Sequence, residues 1–148
     1  RGASGIDGTI ATACGFSEGF NRSVTLLIGD LAFLYDLNSL AMLNKLKKPM
    51  TIVLLNNDGG GIFNYLPIAR QKKIFEPYFA TPHGLTFKET AKTFSLRYAR
   101  PDKYLEAQEE YRKAVRSKTS TLIEIVSQRS TNIKLHEQIK KELQRSVR

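Results

Sequence analysis

Cysteine is almost missing from this sequence of 148 residues, since Cys14 is its only thiol. A single cysteine excludes an internal disulfide and a cysteine-based metal site, and this composition is typical of a reducing compartment. No apolar run approaches the 18 residues that a transmembrane helix needs, so we expect no membrane span. Internal repeats and low-complexity segments are also missing. These features predict a globular protein of the cytoplasm.

Positive charge is in excess, with 23 Lys and Arg against 14 Asp and Glu, which gives a formal net charge of +9. This balance makes nucleic-acid binding the first function to test. The basic residues are spread over several predicted helices and do not interleave with aromatic residues, as they do in single-strand binding platforms. No Gly-x-Gly-x-x-Gly fingerprint follows a predicted strand. We therefore expect no nucleic-acid partner, and a nucleotide-binding module remains the alternative to an enzyme.

The first residues of the chain are rich in glycine and serine. The sequence starts at Arg1 without a methionine, and residues 1–5 already look like part of a binding site. The length suits one domain with a sizeable core. We expect a single domain over residues 1–148 that belongs to a longer protein.

Two apolar runs, at residues 24–28 and 51–55, predict buried strands. Between them, residues 35–47 have the apolar spacing of a helix. Strand, helix and strand in this order predict a crossover unit of a parallel sheet, with ligands at the carboxyl ends of the strands. Residues 29–30 (Gly-Asp) and 56–57 (Asn-Asn) are therefore expected at the same edge of the sheet.

Further elements are predicted along the rest of the chain. Asp7 or Thr9 is expected to cap a first helix that ends near Phe20. The later expectations are a long loop over 58–87, a helix over 87–96, a short strand at 97–99, a helix over 102–117, a strand at 121–126 and a closing helix from about 132. A loop as long as 58–87 inside a compact domain usually covers a site.

The residues after the first two strands have the chemistry of a metal and phosphate site. A carboxylate, carboxamides and backbone carbonyls offer the oxygen ligands that Mg²⁺ prefers. The glycines at residues 59–61 permit a ligand to approach the backbone closely. Taken alone, a Gly-Asp pair more often simply ends a strand, and this simpler interpretation stays open at this point.

Asp30, followed 27 positions later by Asn57, resembles the metal-binding motif of thiamine-diphosphate-dependent enzymes. Leu31 stands where most of these enzymes have glycine, and leucine is what the MenD family has there. Four stretches together resemble the carboxyl-terminal, diphosphate-binding domain of the MenD family: residues 1–8, 29–33, 56–63 and 81–85. The resemblance implies an α/β fold of three layers, in which an open, mostly parallel sheet has helices on both faces.

The resemblance also implies roles for individual residues. Thiamine diphosphate would contact Ser4, Gly5, Ile6, Gly29, Asp30, Leu31, Asn57, Gly59, Ile62 and Phe63. Asp30, Asn57 and the carbonyl of Gly59 would hold Mg²⁺ or Mn²⁺. Arg1 would act as the catalytic arginine by binding a substrate carboxylate, a task that suits a permanently charged guanidinium. Phe63 and Leu66 would line the substrate pocket, and His83 is expected only to order its loop.

The implied activity is decarboxylation of 2-oxoglutarate and 1,4-addition of the resulting succinyl carbanion to isochorismate, in menaquinone biosynthesis. Enzymes of this group activate the cofactor with a glutamate from the pyrimidine-binding domain of a second subunit. No glutamate of this chain lies in such a motif, so we expect residues 1–148 alone to be inactive, and the complete enzyme to be a homodimer or homotetramer. Another 2-oxo-acid decarboxylase or an acetolactate-type synthase is the alternative.

Overall fold

The computed structural model describes residues 5–146 of the chain. Their internal contacts divide the chain into two compact units. The first unit contains the chain up to Asn56 together with Thr86–Val126, and the second contains Asn57–Leu85 together with the chain from Ser127. The expectation of one diphosphate-binding domain over residues 1–148 stays a prediction.

Within the described residues, the first unit is built around a parallel sheet of four strands in the spatial order β1-β2-β4-β3. The strands are β1 (Thr25–Gly29), β2 (Thr51–Asn56), β3 (Arg97–Ala99) and β4 (Thr121–Val126). The α-helices of the chain are α1 (Thr9–Phe20), α2 (Asp30–Tyr35), α3 (Lys72–Phe75), α4 (Lys88–Thr93), α5 (Tyr104–Val115) and α6 (Arg129–Ser146). All except α3 and α6 belong to the first unit.

The core of the first unit lies on one face of this sheet. Alternate strand residues point to one face, and Ile52, Leu54 and Leu122 pack there with residues of α1, α2 and α4. Phe33 and Phe87 meet edge to face in this core, with ring centroids 5.1 Å apart. Helix α5 packs against β2 and β4 and contributes no residue to this cluster. The predicted α/β fold with a parallel sheet and helices is therefore confirmed.

Strand β1 is less buried than its apolar sequence predicts. Among the described residues it pairs only with β2, so it lies at an edge of the sheet. Ile28 is buried, but Leu27 is 64% exposed. The prediction of a buried strand is wrong for Leu27, because its side chain points to the face opposite the core that buries Ile28.

The region around Asp36 differs from the predicted helix over 35–47. Helix α2 begins immediately after β1 and ends at Tyr35, and a 3₁₀ helix then runs over Leu37–Lys45. The Asp36 carboxyl group accepts hydrogen bonds from the N–H of Ala11 (2.9 Å) and the hydroxyl of Ser39 (2.5 Å). These bonds hold Asp36 in a non-helical conformation, with φ −128°, and therefore separate the two helices.

The first turn of α1 also differs from the prediction that Asp7 or Thr9 caps it. The N-cap residue is Gly8, with φ +62°, and no side chain at that position makes a cap hydrogen bond. The carboxyl group of Asp36 instead accepts the N–H of Ala11 in the first turn. A distant acid thus supplies the acceptor that a helix start needs.

The second unit consists mainly of short helical turns. The predicted loop 58–87 contains α3 and the turns Gly61–Tyr65, Pro67–Arg70 and Glu76–Ala80. The closing helix α6 begins at Arg129, slightly before the predicted start, and no described residue of it is buried. Within residues 5–146, none of the helices combines the length and apolar character needed to cross a membrane.

Candidate functional site

The first pair of predicted site residues, Gly29 and Asp30, lies at the carboxyl end of strand β1. Asp30 directly follows the strand and opens α2, where it is only 2% exposed. Its Oδ1 accepts the N–H of Leu31 at 2.8 Å, which fixes the orientation of the carboxyl group. Leu31 itself is half-buried.

Gly29 has neither a strained backbone nor a close neighbour that would require glycine. Its backbone is extended, with φ −81° and ψ 161°, a conformation open to any L residue. A Cβ built at this position meets no atom within 4 Å. The space in front of Gly29 is therefore open, as expected where a bound group approaches the backbone.

Strand β2 ends beside the end of β1, because Gly29 and Leu55 are partners in the parallel register. The next residue, Asn56, is buried, and its Nδ2 donates to Glu124 Oε1 at 2.7 Å. Asn57 follows it in the chain as the first residue of the second unit. The predicted adjacency of the two strand ends is confirmed up to Asn56.

Two of the three glycines after Asn57 are required by the fold of the turn itself. Gly59 has φ +117°, and a Cβ there would lie 2.1 Å from the carbonyl oxygen of Ala80. A Cβ on Gly60 would lie 2.5 Å from the carbonyl oxygen of Phe79. A Cβ on Gly61 would lie 2.6 Å from Nδ2 of Asn57, so this glycine lets the turn pack against the carboxamide of the predicted metal ligand.

Asp58 ties this turn to the stretch that contains His83. It has a left-handed backbone, with φ +59°, and its Oδ1 accepts the N–H groups of His83 (2.9 Å) and Gly84 (2.8 Å). The bond from the N–H of Gly84 is the largest effect on the pKa of the Asp58 carboxyl group and lowers it; burial opposes this effect, and the weaker bond from the N–H of His83 adds to the lowering. The Nδ1 atom of His83 accepts the N–H of Leu85 at 3.0 Å, in agreement with a loop-ordering role.

A polar cleft of about 350 Å³ lies within the second unit. It is lined by Asn57, Asp58 and Asn64, and by the first residues of α6 with their preceding turn. Arg129 in this lining donates to Glu76 at 3.1 Å, and its side chain is only 17% exposed. Asn57 and Asp58 thus border on a space that a polar or charged group can enter.

The remaining predicted residues lie on the surface or outside the described part of the chain. Arg1 and Ser4 are outside residues 5–146. Gly5 and Ile6 are exposed. The predicted pocket residues Ile62, Phe63 and Leu66 are exposed by 74%, 37% and 48%. A surface that binds a ligand must be accessible, and these side chains are accessible. Their assignment to the cofactor and substrate pocket stays a prediction.

The donor set Asp30, Asn57 and Gly59 fits a divalent cation by its chemistry. It offers one carboxylate, one amide and one carbonyl oxygen, and Mg²⁺ usually takes only a few protein oxygens together with phosphate oxygens and water. No cluster of three or more His, Cys, Asp and Glu side chains suited to a metal is found in residues 5–146. The proposed set therefore combines one carboxylate with amide and carbonyl oxygens. Asp30 belongs to the first unit and the other two to the second, so their joint coordination stays a prediction.

Two acidic residues that position the site elements were missed from sequence. Glu124 is fully buried in β4 and bonds to Asn56, and Asp36 satisfies the first turn of α1. The position of Glu124 inside the apolar run Thr121–Val126 is a usable signal, because an unpaired buried acid is costly and such a residue is therefore expected to have hydrogen-bond partners. Asp36 gave no signal, since its partner is 25 positions away in sequence.

Comparison with known proteins finds a matching family. Residues 2–125 match the family model described as thiamine pyrophosphate enzyme, C-terminal TPP binding domain. The chain is 55% identical over 139 residues to a 2-succinyl-5-enolpyruvyl-6-hydroxy-3-cyclohexene-1-carboxylate synthase of Rubrobacter xylanophilus, covering 94% of this chain and 24% of that protein. It is 54% identical over 136 residues to the protein of the same name from Chlorobium luteolum, covering 92% and 23%. The chain spans about a quarter of the length of these curated relatives.

Solved structures share the fold at lower identity. The thiamine diphosphate-dependent 4-hydroxybenzoylformate decarboxylase of Rhodococcus jostii RHA1 superposes with a TM-score of 0.68 at 23% identity, covering 81% of this chain and 23% of that one. Benzoylformate decarboxylase from Polynucleobacter necessarius gives a TM-score of 0.65 at 21% identity, covering 82% and 23%. These structures agree with the predicted thiamine-diphosphate-binding fold.

Proposed function

The chain belongs to the family of C-terminal TPP-binding domains of thiamine pyrophosphate enzymes, and from this premise we propose that it is the diphosphate-binding part of a MenD-type synthase. The predicted resemblance to the MenD family is confirmed by relatives about half identical over more than nine tenths of the chain. The reaction we propose is decarboxylation of 2-oxoglutarate with 1,4-addition of the succinyl carbanion to isochorismate. Carbon dioxide leaves, and the new carbon–carbon bond joins the two substrates.

The observation that carries this proposal is the register of β1 and β2. Gly29 pairs with Leu55, so the carboxyl group of Asp30 and the chain that leads to Asn57 start from neighbouring strand ends. We propose that Asp30, Asn57 and the carbonyl of Gly59 hold Mg²⁺ or Mn²⁺. The cation would neutralise the diphosphate, and the open space at Gly29 would admit the phosphate oxygens.

The other predicted residues complete the proposed site. When bound, thiamine diphosphate supplies the carbon nucleophile and the electron sink for the decarboxylation. Ile6 and Ile62 present apolar surface to the cofactor, and Phe63 and Leu66 present it to substrate. Arg1 would bind a substrate carboxylate, a task that suits a guanidinium group because it can donate two parallel hydrogen bonds.

The proposal also includes a partner subunit, because the sequence of this chain has no motif for the glutamate that activates the cofactor. No glutamate of the 148 residues lies in a motif for cofactor activation. We therefore propose that a pyrimidine-binding domain of a second subunit supplies it in a homodimer or homotetramer. Purified residues 1–148 should then give no turnover of 2-oxoglutarate with isochorismate, and turnover by this chain alone would contradict the proposal.

A substrate assay on the intact protein tests the reaction. Thiamine diphosphate and Mg²⁺ are supplied with 2-oxoglutarate and isochorismate together, with 2-oxoglutarate alone, and with pyruvate alone. We expect carbon dioxide release and a joined product, identified by its mass, only when both proposed substrates are present. Product from pyruvate would favour an acetolactate-type synthase, and decarboxylation of 2-oxoglutarate without isochorismate would favour a simple decarboxylase.

A binding assay tests the metal assignment separately. Asp30→Asn removes the proposed carboxylate ligand at constant size and should abolish Mg²⁺-dependent binding of thiamine diphosphate in calorimetry. Glu109→Gln is the matched control, because Glu109 is an exposed acid on α5. Equal binding by the two variants would contradict the assignment of Asp30.

A further inference from the structure

Glu124 is a buried acidic residue to which the proposed reaction gives no role. It lies in β4 with no exposed surface, and its register partner in β2 is the buried Leu54. A carboxyl group in such surroundings is tolerated only when hydrogen bonds compensate for its lost hydration. The partners that compensate Glu124 therefore show what its burial accomplishes.

The carboxyl group of Glu124 accepts three hydrogen bonds from three different elements. Oε1 accepts Nδ2 of Asn56 at 2.7 Å. Oε2 accepts the backbone N–H of Phe87 at 3.1 Å and the hydroxyl of Tyr98 at 2.6 Å. Burial, followed by this hydrogen bond and the charge of Glu124, raises the pKa of Tyr98, so the phenol remains a donor.

Two of these three donors mark the points where the chain leaves and rejoins the first unit. Asn56 is the last residue before the excursion over Asn57–Leu85, and Phe87 is the second residue after it. Tyr98 lies in β3 and marks neither point. A single carboxyl group thus bonds to both ends of the segment that carries Asn57 and Gly59.

We propose that Glu124 is a positioning residue that fixes both ends of segment 57–85 and thereby sets the backbone position of Asn57. The bond to Asn56 immobilises the residue that shares a peptide plane with Asn57. The bond to Phe87 prevents the other end of the segment from moving independently. The link to metal affinity rests on the proposed function, since Asn57 and Gly59 are the proposed ligands.

Glu124→Gln is the informative substitution, because it keeps size but removes one acceptor. The N–H of Phe87 belongs to the backbone and cannot be reversed, so the new amide group must face Asn56. Tyr98→Phe is the matched control: it removes a bond to the same carboxyl group and leaves both ends of the segment bonded. Glu124→Asp, which withdraws the carboxyl group by one methylene, is the second variant if the glutamine variant does not fold.

Two measurements on the intact protein separate positioning from general stability. Calorimetric titration of Mg²⁺ in the presence of thiamine diphosphate should show the cation Kd raised roughly 10- to 100-fold in Glu124→Gln, as for other partners of metal ligands. Tyr98→Phe should stay close to the wild type. Amide hydrogen exchange without ligands should be faster in Glu124→Gln at residues 56–63 and 81–87 and unchanged in α1 and β1.

Each result of these measurements decides one of the two proposals. Equal Kd and equal exchange in Glu124→Gln and Tyr98→Phe overturn the positioning role. Exchange that accelerates uniformly over the first unit also overturns it, because that result shows only lost stability. If the wild type binds neither Mg²⁺ nor thiamine diphosphate, the proposed function fails, while the exchange data still decide whether Glu124 fixes the segment.

Discussion

The substitution Gly59→Ala tests whether the glycine-rich turn is built for its own fold. Gly59 has φ +117°, which is unfavourable for L residues, and such strain costs of order 1–3 kcal/mol. The added Cβ would also lie 2.1 Å from the carbonyl oxygen of Ala80, and overpacking of this kind typically costs about 1–3 kcal/mol. The overlap is with backbone, so no rotamer change relieves it. We expect a loss of roughly 2–6 kcal/mol when both costs apply.

Gly84→Ala is the matched control for this substitution. Gly84 also has a positive φ, +65°, but a Cβ there meets no atom within 4 Å. Its cost should be only the left-handed strain of about 1–2 kcal/mol. Urea unfolding of both variants, with amide exchange over residues 57–85, measures the difference. If Gly59→Ala is no less stable than Gly84→Ala, the steric explanation of this turn is refuted.

Three further substitutions or titrations probe other parts of the site. The free energy of unfolding of Gly29→Ala in urea should stay within about 0.5 kcal/mol of the wild type, because a Cβ there meets no atom. The same substitution should weaken thiamine diphosphate binding in calorimetry. Unchanged affinity would argue against diphosphate at this position. Asp36→Ala should destabilise the protein by about 0.5–2 kcal/mol in thermal unfolding, since the N–H of Ala11 loses its acceptor; an unchanged midpoint would contradict that cap. The pKa of Asp58 should lie below its usual value of about 3.9, because the N–H of Gly84 donates to the charged form. Its stabilising contribution is then complete above that usual value and is lost as the pH falls through the lower folded pKa; an NMR titration that gives the usual value or a higher one would refute this.

The sheet and its functional edge were predictable because a parallel strand leaves a strong local pattern. The runs at residues 24–28 and 51–55 are apolar and β-branched, and the structure has β1 and β2 there. The residues after both strands then follow from topology, since parallel neighbours end at the same edge. The sequence does not encode strand order in any local pattern, and the exposed edge position of β1 could not be predicted from it.

The predictions that were wrong depend on long-range partners. The helix expected over 35–47 is a 3₁₀ helix that starts only at Leu37, because the Asp36 carboxyl group before it bonds to α1. Neither Asp7 nor Thr9 caps α1 as expected; the Asp36 carboxyl group instead accepts a hydrogen bond from its first turn. Helical periodicity and local capping preferences describe only near neighbours in sequence, so neither could reveal an acceptor 25 positions away.

The glycines near the two strand ends serve two different purposes, and the distinction sharpens the functional assignment. Gly59 and Gly60 each face backbone atoms closer than 3 Å to a built Cβ, so the fold of the turn accounts for them, whereas the close neighbour of Gly61 is the end of the Asn57 side chain. Gly29 faces open space in an ordinary extended conformation, so neither packing nor backbone strain accounts for it. The open space at Gly29 leaves room for a bound group beside Asp30. A substitution at Gly29 therefore tests diphosphate binding more directly than one in the longer glycine run, because it adds a Cβ in that space without disturbing packing.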